Sequence, residues 1–282
     1  MRCVIDELKI CYVADQERLE TLKDISAGEY IDIPNFRLYR VISDRFRYCL
    51  DITSDGDKVA QLRFGLYTED DGSETHVFLK VLNRVLYDPD LLQKVVTIPE
   101  HFDMVCNNYT ALDLAVDTHL NVPSMIKRMM RDKTVTTIIN GKAVKDRKAI
   151  IPGVSFEYSS SLDRLRHLTV TIKQKKAINN KNDGITVQAY DKRAEVVNHS
   201  DKQYILDYYG DPKRLYRLEI RLRYRELRDY MFLTKIPPTP DLIFDQQFLV
   251  HMFCYHLASV VRFTKGRRKI QWEQLLECND RT

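Results

Sequence analysis

Alternation of apolar and polar residues is the dominant pattern along the chain, and this pattern predicts β-strands. Successive side chains of a strand point to opposite faces, so each apolar half indicates a sheet face that is buried. Strands are predicted at residues 4–13, 47–52, 59–67, 76–82, 111–117, 154–158, 168–173, 185–190 and 215–224. Residues 54–57, which read Ser-Asp-Gly-Asp between the second and third of these strands, are typical of a hairpin turn.

Helices are predicted in fewer places. They are expected at residues 91–95, 123–131, 202–209 and 241–262, with a last short helix through Trp272 and Leu275. The fold class is therefore α+β. We expect two similar α/β subdomains that share a central, largely antiparallel sheet flanked by helices, followed by a C-terminal helical segment. The expected domains are residues 1–105, 106–236 and 237–282, the last beginning at a proline-rich linker.

Composition narrows the class of protein. The 282 residues are 44% hydrophobic and 30% charged, which is the balance of a globular protein and excludes wholesale disorder. No apolar stretch is long enough for a membrane span and no signal peptide opens the chain, so we expect a cytoplasmic protein with no membrane partner. The six cysteines form no CxxC pair and are expected to be buried or free thiols: Cys3, Cys11, Cys49, Cys106, Cys254 and Cys278.

Positive charge is concentrated in one part of the chain. Residues 164–228 contain 16 Lys and Arg against 8 Asp and Glu, whereas the whole chain contains 44 against 40. A concentrated basic segment favours a polyanionic partner, with nucleic acid as the first candidate. The alternative, a solvated basic surface, is equally compatible with the charge alone.

The predicted strand at residues 111–117 has acids on its polar face. Asp113 and Asp117 share that face with Ala111 and Ala115, and the small alanines leave room beside the carboxylates. Two carboxylates on the open face of a strand suit a hard divalent cation. The alternative is an edge strand with acids that face solvent.

The predicted strand at residues 215–224 carries one acid among arginines. Its polar face holds Arg217, Glu219, Arg221 and Arg223. A carboxylate suits a metal ion, and guanidinium groups suit phosphate oxygens. The alternative is a ladder of surface ion pairs.

The predicted strand at residues 185–190 places Tyr190 on a polar face, and Lys192 joins that face if the strand continues. A tyrosine hydroxyl beside a lysine and a metal ion is a candidate nucleophile toward phosphorus. The alternative is a half-buried packing residue. His167, just before another strand, is a candidate phosphate contact or a structural histidine.

Three segments carry a resemblance to a known family. They read Leu112-Asp113-Leu114-Ala115-Val116-Asp117, then residues 187–195 with Tyr190-Asp191-Lys192 and Glu195, then Tyr216-Arg217-Leu218-Glu219-Ile220-Arg221-Leu222. This order resembles the rolling-circle replication initiators of small plasmids in the Rep-trans group, and is equally similar to the replication initiator of filamentous phages. The motifs span residues 110–231.

The resemblance implies a site-specific, metal-dependent DNA nicking and rejoining enzyme that initiates rolling-circle replication. Tyr190 would attack a phosphodiester and keep the 5′ phosphate as a covalent phosphotyrosine. Asp113, Glu219 and Asp117 would bind Mg²⁺ or Mn²⁺, and Lys192 and Arg217 would stabilise charge on the phosphate.

The implied partner is a DNA origin, as duplex plus the single-stranded region around the nick. Host helicase and polymerase and a second copy of the chain are further candidate partners, in a bacterial cytoplasm. We expect Arg221 and Arg223 beside the scissile strand with His167 as another DNA contact, and Arg267 and Arg268 in a separate patch that binds duplex. Two other functions stay open: a transfer relaxase of a conjugative element, and a non-catalytic DNA-binding protein on the same fold.

Overall fold

The computed structural model describes residues 1–66, 75–146, 150–160, 166–175, 177 and 184–277. These residues form an α+β fold with a large antiparallel sheet and eight α-helices, one of them at the C-terminal end, which confirms the predicted fold class. The chain divides into two compact units. Unit 1 contains residues 1–5, 113–226 and 243–282, and unit 2 contains residues 6–112 and 227–242.

Unit 2 is built mainly from antiparallel strands. Its elements are β1 (Val4–Val13), α1 (Gln16–Lys23), β2 (Tyr30–Ile33), β3 (Phe36–Arg40), β4 (Phe46–Ser54), β5 (Asp57–Leu66), β6 (His76–Val81), α2 (Pro89–Val96) and the first half of β7 (Val105–Thr118). The strand order is β7-β1-β6-β5-β4-β3-β2. The predicted hairpin turn is present between β4 and β5, where Asp55 and Gly56 have φ values of 51° and 84°, as a tight hairpin turn requires.

Unit 1 contains the second half of β7 and most of the remaining elements. These are α3 (Val122–Arg131), β8 (Val135–Ile139), β9 (Lys142–Ala143), β10 (Val154–Ser160), β11 (Arg166–Lys173), β12 (Thr186–Asp191), α4 (Lys192–His199), α5 (Gln203–Tyr208), β13 (Tyr216–Arg223), the start of α6 (Tyr224–Thr234), α7 (Gln246–Val260), β14 (Val261–Lys265), β15 (Arg268–Ile270) and α8 (Trp272–Glu277). The main sheet of this unit has the order β10-β11-β12-β13-β7, and a smaller sheet has the order β15-β14-β8-β9.

Alternation explains how β13 is placed in this sheet. Leu218, Ile220 and Leu222 are fully buried on the apolar face. The opposite face carries the arginines and the glutamate that the sequence predicted there. Strand β12 is antiparallel to β13, and the register sets Gln188 opposite Glu219 and Tyr190 opposite Arg217.

The C-terminal segment contains two helices, as predicted, but their limits differ and a hairpin lies between them. The helix expected over residues 241–262 begins only at Gln246, because Asp245 caps it by accepting hydrogen bonds from the backbone N–H groups of Gln247 and Phe248 at 2.8 and 3.1 Å. After Val260 the apolar positions alternate instead of recurring at helical spacing, and residues 261–270 form the hairpin of β14 and β15. The predicted domain limits at residues 105 and 236 stay a prediction.

Two expectations drawn from composition, the absence of a membrane span and the state of the cysteines, can be compared with the described residues. The described part of the chain has no α-helix with the length and apolar character that a membrane crossing requires; its longest helix, α7, has 15 residues. Cys3, Cys11, Cys49, Cys106 and Cys254 are free thiols, as predicted, and Cys278 lies outside the described residues.

Candidate functional site

The second half of β7 places two carboxylates on one face of the main sheet of unit 1. Asp113 and Asp117 are four positions apart, and residues at even spacing share a face of a strand. Both side chains are almost entirely buried. A buried carboxylate is costly unless it is paired, so the partners of these acids decide what each of them does.

Asp117 is bound by a buried arginine. Arg217 donates from Nε to Oδ1 at 2.7 Å and from Nη2 to Oδ2 at 2.6 Å, and the Tyr209 hydroxyl donates to Oδ2 at 2.9 Å. The side chains of Arg217 and Asp117 are 0% and 1% exposed. Both oxygens of Asp117 are therefore engaged. This geometry does not support a metal-ligand role for Asp117 or a phosphate contact by Arg217, and it gives both residues a structural role in the sheet.

Tyr190 and Glu219 meet on the neighbouring strands β12 and β13. The register makes them diagonal neighbours on the same face. The Tyr190 hydroxyl donates a hydrogen bond to Oε2 of Glu219 at 2.9 Å. A carboxylate that accepts from a phenol is positioned to take its proton when the phenol acts as a nucleophile.

Two arginines of β13 connect Glu219 to Asp113. Arg221 Nε lies 2.9 Å from Oε1 of Glu219 and 3.8 Å from Oδ2 of Asp113, and Arg223 donates to Oδ1 of Asp113 at 2.6 Å. Partial burial acts to lower the pKa of Arg221, but the attraction of Glu219 and then of Asp113 outweighs it, so the pKa is raised. The Arg221 side chain is 45% exposed, and its cation is accessible to a phosphate from solvent.

The polar network is balanced in charge. Three carboxylates and three guanidinium groups are paired here, Asp117 with Arg217 in one set and Asp113 and Glu219 with Arg221 and Arg223 in the other. The structure thus brings Tyr190, Glu219, Arg221 and Asp113 together. The ladder of ion pairs that was the alternative for β13 is also present, because each of its arginines is paired.

Lys192 does not continue strand β12. Asp191 ends the strand and caps α4, where its Oδ1 accepts from the backbone N–H of Ala194 at 2.9 Å. Lys192 is the first residue of this helix and is buried, with Nζ 2.8 Å from Oε2 of Glu195 and 5.7 Å from the centre of the Tyr190 ring. Its charge acts on Tyr190 through space, so the geometry does not support direct contact with a phosphate.

His167 lies close to this site and is bonded to the same cap residue. Its Nδ1 is 2.9 Å from Oδ2 of Asp191, and both side chains are mostly buried. His167 and Tyr190 line the same cavity of about 290 Å³.

Arg221 lies between two cavities. It lines the Tyr190 cavity together with Gln188, and the same two residues line a second cavity of about 170 Å³ beside Lys173 and Arg223. A phosphate in either cavity is within reach of an arginine of β13.

Arg267 and Arg268 lie in a hairpin of a different sheet from that of Tyr190 and Glu219. They are exposed at the turn of the β14–β15 hairpin, which belongs to the smaller sheet of unit 1. Gly266 in this turn has a φ of 58°, a conformation that glycine adopts without strain. The hairpin therefore presents a compact basic tip to solvent.

The described residues contain no group of three His, Cys, Asp or Glu side chains arranged to bind a metal ion. The predicted set of three does not fit, because Asp117 is taken by Arg217 and Tyr209. Asp113 and Glu219 each place an oxygen within 3.8 Å of the same atom, Arg221 Nε, so the two carboxylates flank one guanidinium cation. Mg²⁺ is commonly held by one or two carboxylates together with substrate phosphates.

Three partners in this region were not identified from the sequence: Tyr209, Glu195 and Asp191. Tyr209 follows α5 in the chain and has no periodic relation to Asp117. Asp191 carries a recognisable signal, because an acid directly after an alternating strand is a common helix N-cap. Comparison of the chain with protein-family models, with curated proteins and with solved structures finds no match in any of the three.

Proposed function

We propose that the chain is a site-specific DNA nicking-joining enzyme that initiates rolling-circle replication through a covalent 5′-phosphotyrosine. The observation that carries this proposal is the hydrogen bond from Tyr190 to Glu219, made beside Arg221 at a cavity open to a substrate. A nucleophile, a proton acceptor and a cation for the phosphate are thus adjacent. We also propose the finer architecture expected from the sequence, with two similar α/β subdomains that share one central sheet.

The reaction follows from the placement of these groups. The Tyr190 oxygen forms a bond to phosphorus while its proton leaves along the hydrogen bond to Oε2 of Glu219 and passes on to water, so that Glu219 stays a carboxylate. The bond from phosphorus to the 3′ oxygen breaks, and the leaving oxygen takes a proton from water. Arg221 stabilises the negative charge that grows on the phosphate oxygens. Rejoining is the reverse, with the 3′ hydroxyl attacking the phosphotyrosine.

Asp113 and Glu219 are the residues that would hold Mg²⁺ or Mn²⁺ in this proposal. When bound, the ion would neutralise charge on the phosphate. Arg221 is exposed enough to leave the space between the two carboxylates and follow the phosphate. Lys192 and Arg217 act as positioning residues, the first beside the ring of Tyr190 and the second on Asp117.

The direct experiment uses supercoiled circular DNA that carries the coding sequence of the chain with its flanking regions. We expect nicked DNA with protein attached to the 5′ end in Mg²⁺ or Mn²⁺, and little nicking in EDTA. Mass spectrometry of the digested adduct should place the nucleotide on Tyr190. An adduct on another residue, or nicks without any adduct, contradicts the proposal.

Arg267 and Arg268 are proposed to bind the duplex beside the nick. Replacing both with alanine should weaken binding to a duplex and lower the log–log salt slope by up to about 0.9 for each lost phosphate contact. Binding to a single strand should change less. Fluorescence anisotropy at several salt concentrations measures both, and a duplex slope equal to that of the wild type would show that the hairpin touches no phosphate.

A further inference from the structure

A basic cleft of about 1090 Å³ adjoins the cavity of Tyr190 in unit 1. Its walls come from α3, from β10 and β11, from α4 and from the segment just before β13. The cleavage mechanism proposed above involves residues of the Tyr190 cavity and assigns no function to the cleft.

Charge in the cleft is strongly one-sided. Seven basic residues line it: Lys127, Arg128, Arg131, Arg166, Arg193, Lys213 and Arg214. Among the described residues, the acids in the lining are Asp132 and Asp191, and each accepts hydrogen bonds from the protein. Asp132 accepts from the backbone and the hydroxyl of Thr134 at 2.8 Å, and Asp191 accepts from His167 at 2.9 Å. The cleft is therefore a site for a polyanion.

One face of helix α3 forms part of the cleft wall. Met125, Ile126 and Met130 are buried on the inner side of the helix. Arg128 and Arg131, three positions apart, are exposed on the other side and line the cleft. The amphipathic pattern of the helix thus fixes two guanidinium groups in neighbouring positions along one wall.

An exposed aromatic ring lies among these cations. Tyr158 of β10 is 49% exposed and lines the cleft, with Lys127 Nζ 4.9 Å and Arg166 Cζ 5.4 Å from the centre of its ring. The Tyr158 hydroxyl is hydrogen-bonded to Lys127 Nζ, and this bond lowers the pKa of the phenol. The ring is held by its hydroxyl end, while its exposed area is available to a ligand.

The cleft and the Tyr190 cavity share part of their walls. His167, Asp191, Ala194 and Asn198 line both. The Tyr190 cavity in turn shares Gln188 and Arg221 with the cavity beside Arg223. Three adjoining cavities therefore form one track with Tyr190 in the middle.

We propose that the basic cleft binds the single-stranded DNA on one side of the scissile phosphate, an inference that rests on the proposed nicking function. The arginines of α3 contact backbone phosphates, and a base stacks on the ring of Tyr158. Basic groups that follow a backbone, combined with an aromatic surface for bases, are the features by which proteins bind single strands without sequence preference. An acidic peptide would use the charges but gains little from the ring, and a single strand uses both.

The test separates the ring of Tyr158 from its hydroxyl. A labelled single-stranded DNA of mixed sequence, about 16 nucleotides long, is titrated with the full chain and followed by fluorescence anisotropy. Tyr158→Ala should weaken binding by roughly 5- to 150-fold, which corresponds to the 1–3 kcal/mol of one stacked base. Tyr158→Phe keeps the ring and should bind within about twofold of the wild type.

The arginines are tested by salt dependence against a matched pair. Replacing Arg128 and Arg131 with alanine should lower the log–log salt slope for the single strand by roughly 1.4, or about 0.7 for each lost contact. The control replaces Lys142 and Lys145, two exposed lysines of the same unit that do not line the cleft. This control should leave the slope nearly unchanged. Circular dichroism confirms that all variants are folded.

Several outcomes overturn the inference. Equal affinity of Tyr158→Ala and the wild type would show that no base stacks on Tyr158. Equal salt slopes for the arginine variant and the lysine variant would show that Arg128 and Arg131 contact no phosphate. Equal competition by an acidic polypeptide would show a general polyanion site. These binding measurements need no cleavage, so they are independent of the adduct on Tyr190. If the cleft variants lose single-strand binding and the wild type forms no adduct, the result would support the role of the cleft and contradict the nicking function.

Discussion

Replacing Tyr190 with phenylalanine is expected to abolish strand cleavage and covalent adduct formation while the fold and DNA binding stay nearly unchanged. The substitution removes only the hydroxyl, which is the proposed nucleophile. Loss of a nucleophile lowers the rate of cleavage by roughly 10⁴-fold or more. The substitution also removes one hydrogen bond to Glu219, at a cost of about 0.5–3 kcal/mol in the free energy of unfolding.

Tyr255→Phe is the matched control for this experiment. It removes a hydroxyl from another tyrosine of the same unit, one that is exposed on α7 and lines none of the three cavities described above. We expect cleavage by this variant at close to the wild-type rate. If Tyr190→Phe still forms an adduct, the role given to the Tyr190–Glu219 pair is wrong.

The second large effect is expected on stability, at the buried pair of Asp117 and Arg217. Asp117→Asn leaves the Arg217 guanidinium in the interior without its counter-charge, and breaking a buried pair in this way costs about 3–5 kcal/mol. For a domain of this size the midpoint of thermal unfolding should fall by roughly 6 to 20 °C. Differential scanning calorimetry measures the change.

The control is an ion pair on the surface. Arg228 and Asp229 are joined at 2.9 Å, but their side chains are 55% and 61% exposed, so Asp229→Asn should cost no more than about 1 kcal/mol. Replacing Asp117, Arg217 and Tyr209 together with Leu, Met and Phe should recover part of the loss, because no charge of the ion pair is then left in the interior. A single Asp117→Asn variant as stable as Asp229→Asn would show that the pair is not a structural anchor.

Much of the strand architecture was predictable because alternation is a local signal. Strand β13 follows the predicted pattern over its whole length, and its polar face carries the residues expected there. The strands β2 and β3 were not predicted, since Tyr30–Ile33 and Phe36–Arg40 are too short for alternation to be distinctive. Likewise the β14–β15 hairpin was not predicted; the helix expected over residues 241–262 overlaps only its first two residues, directly after the strongly apolar α7.

The sequence predicted which side chains share a face of β13 but not how those side chains pair. Face alternation indicates that Arg217 and Arg221 lie on the same side of β13, and it gives no information about which acid each one binds. Strand register and side-chain rotamers decide that Arg217 is buried on Asp117, while Arg221 stays exposed between Glu219 and Asp113. The position of Lys192 depended on where β12 ends, and element boundaries are the least certain part of a prediction from sequence.

The division of unit 1 into three separate parts of the chain has a consequence for how the protein is made. Strand β8 is synthesised long before β14, its antiparallel neighbour, because β14 belongs to the third of the three segments of unit 1. During synthesis one edge of β8 therefore stays unpaired until β14 has been translated. Unpaired strand edges of nascent chains promote aggregation. Unit 1 completes its sheets only after translation has passed β14, so a ribosome pause before residue 261 prolongs the interval in which this edge of β8 is unpaired.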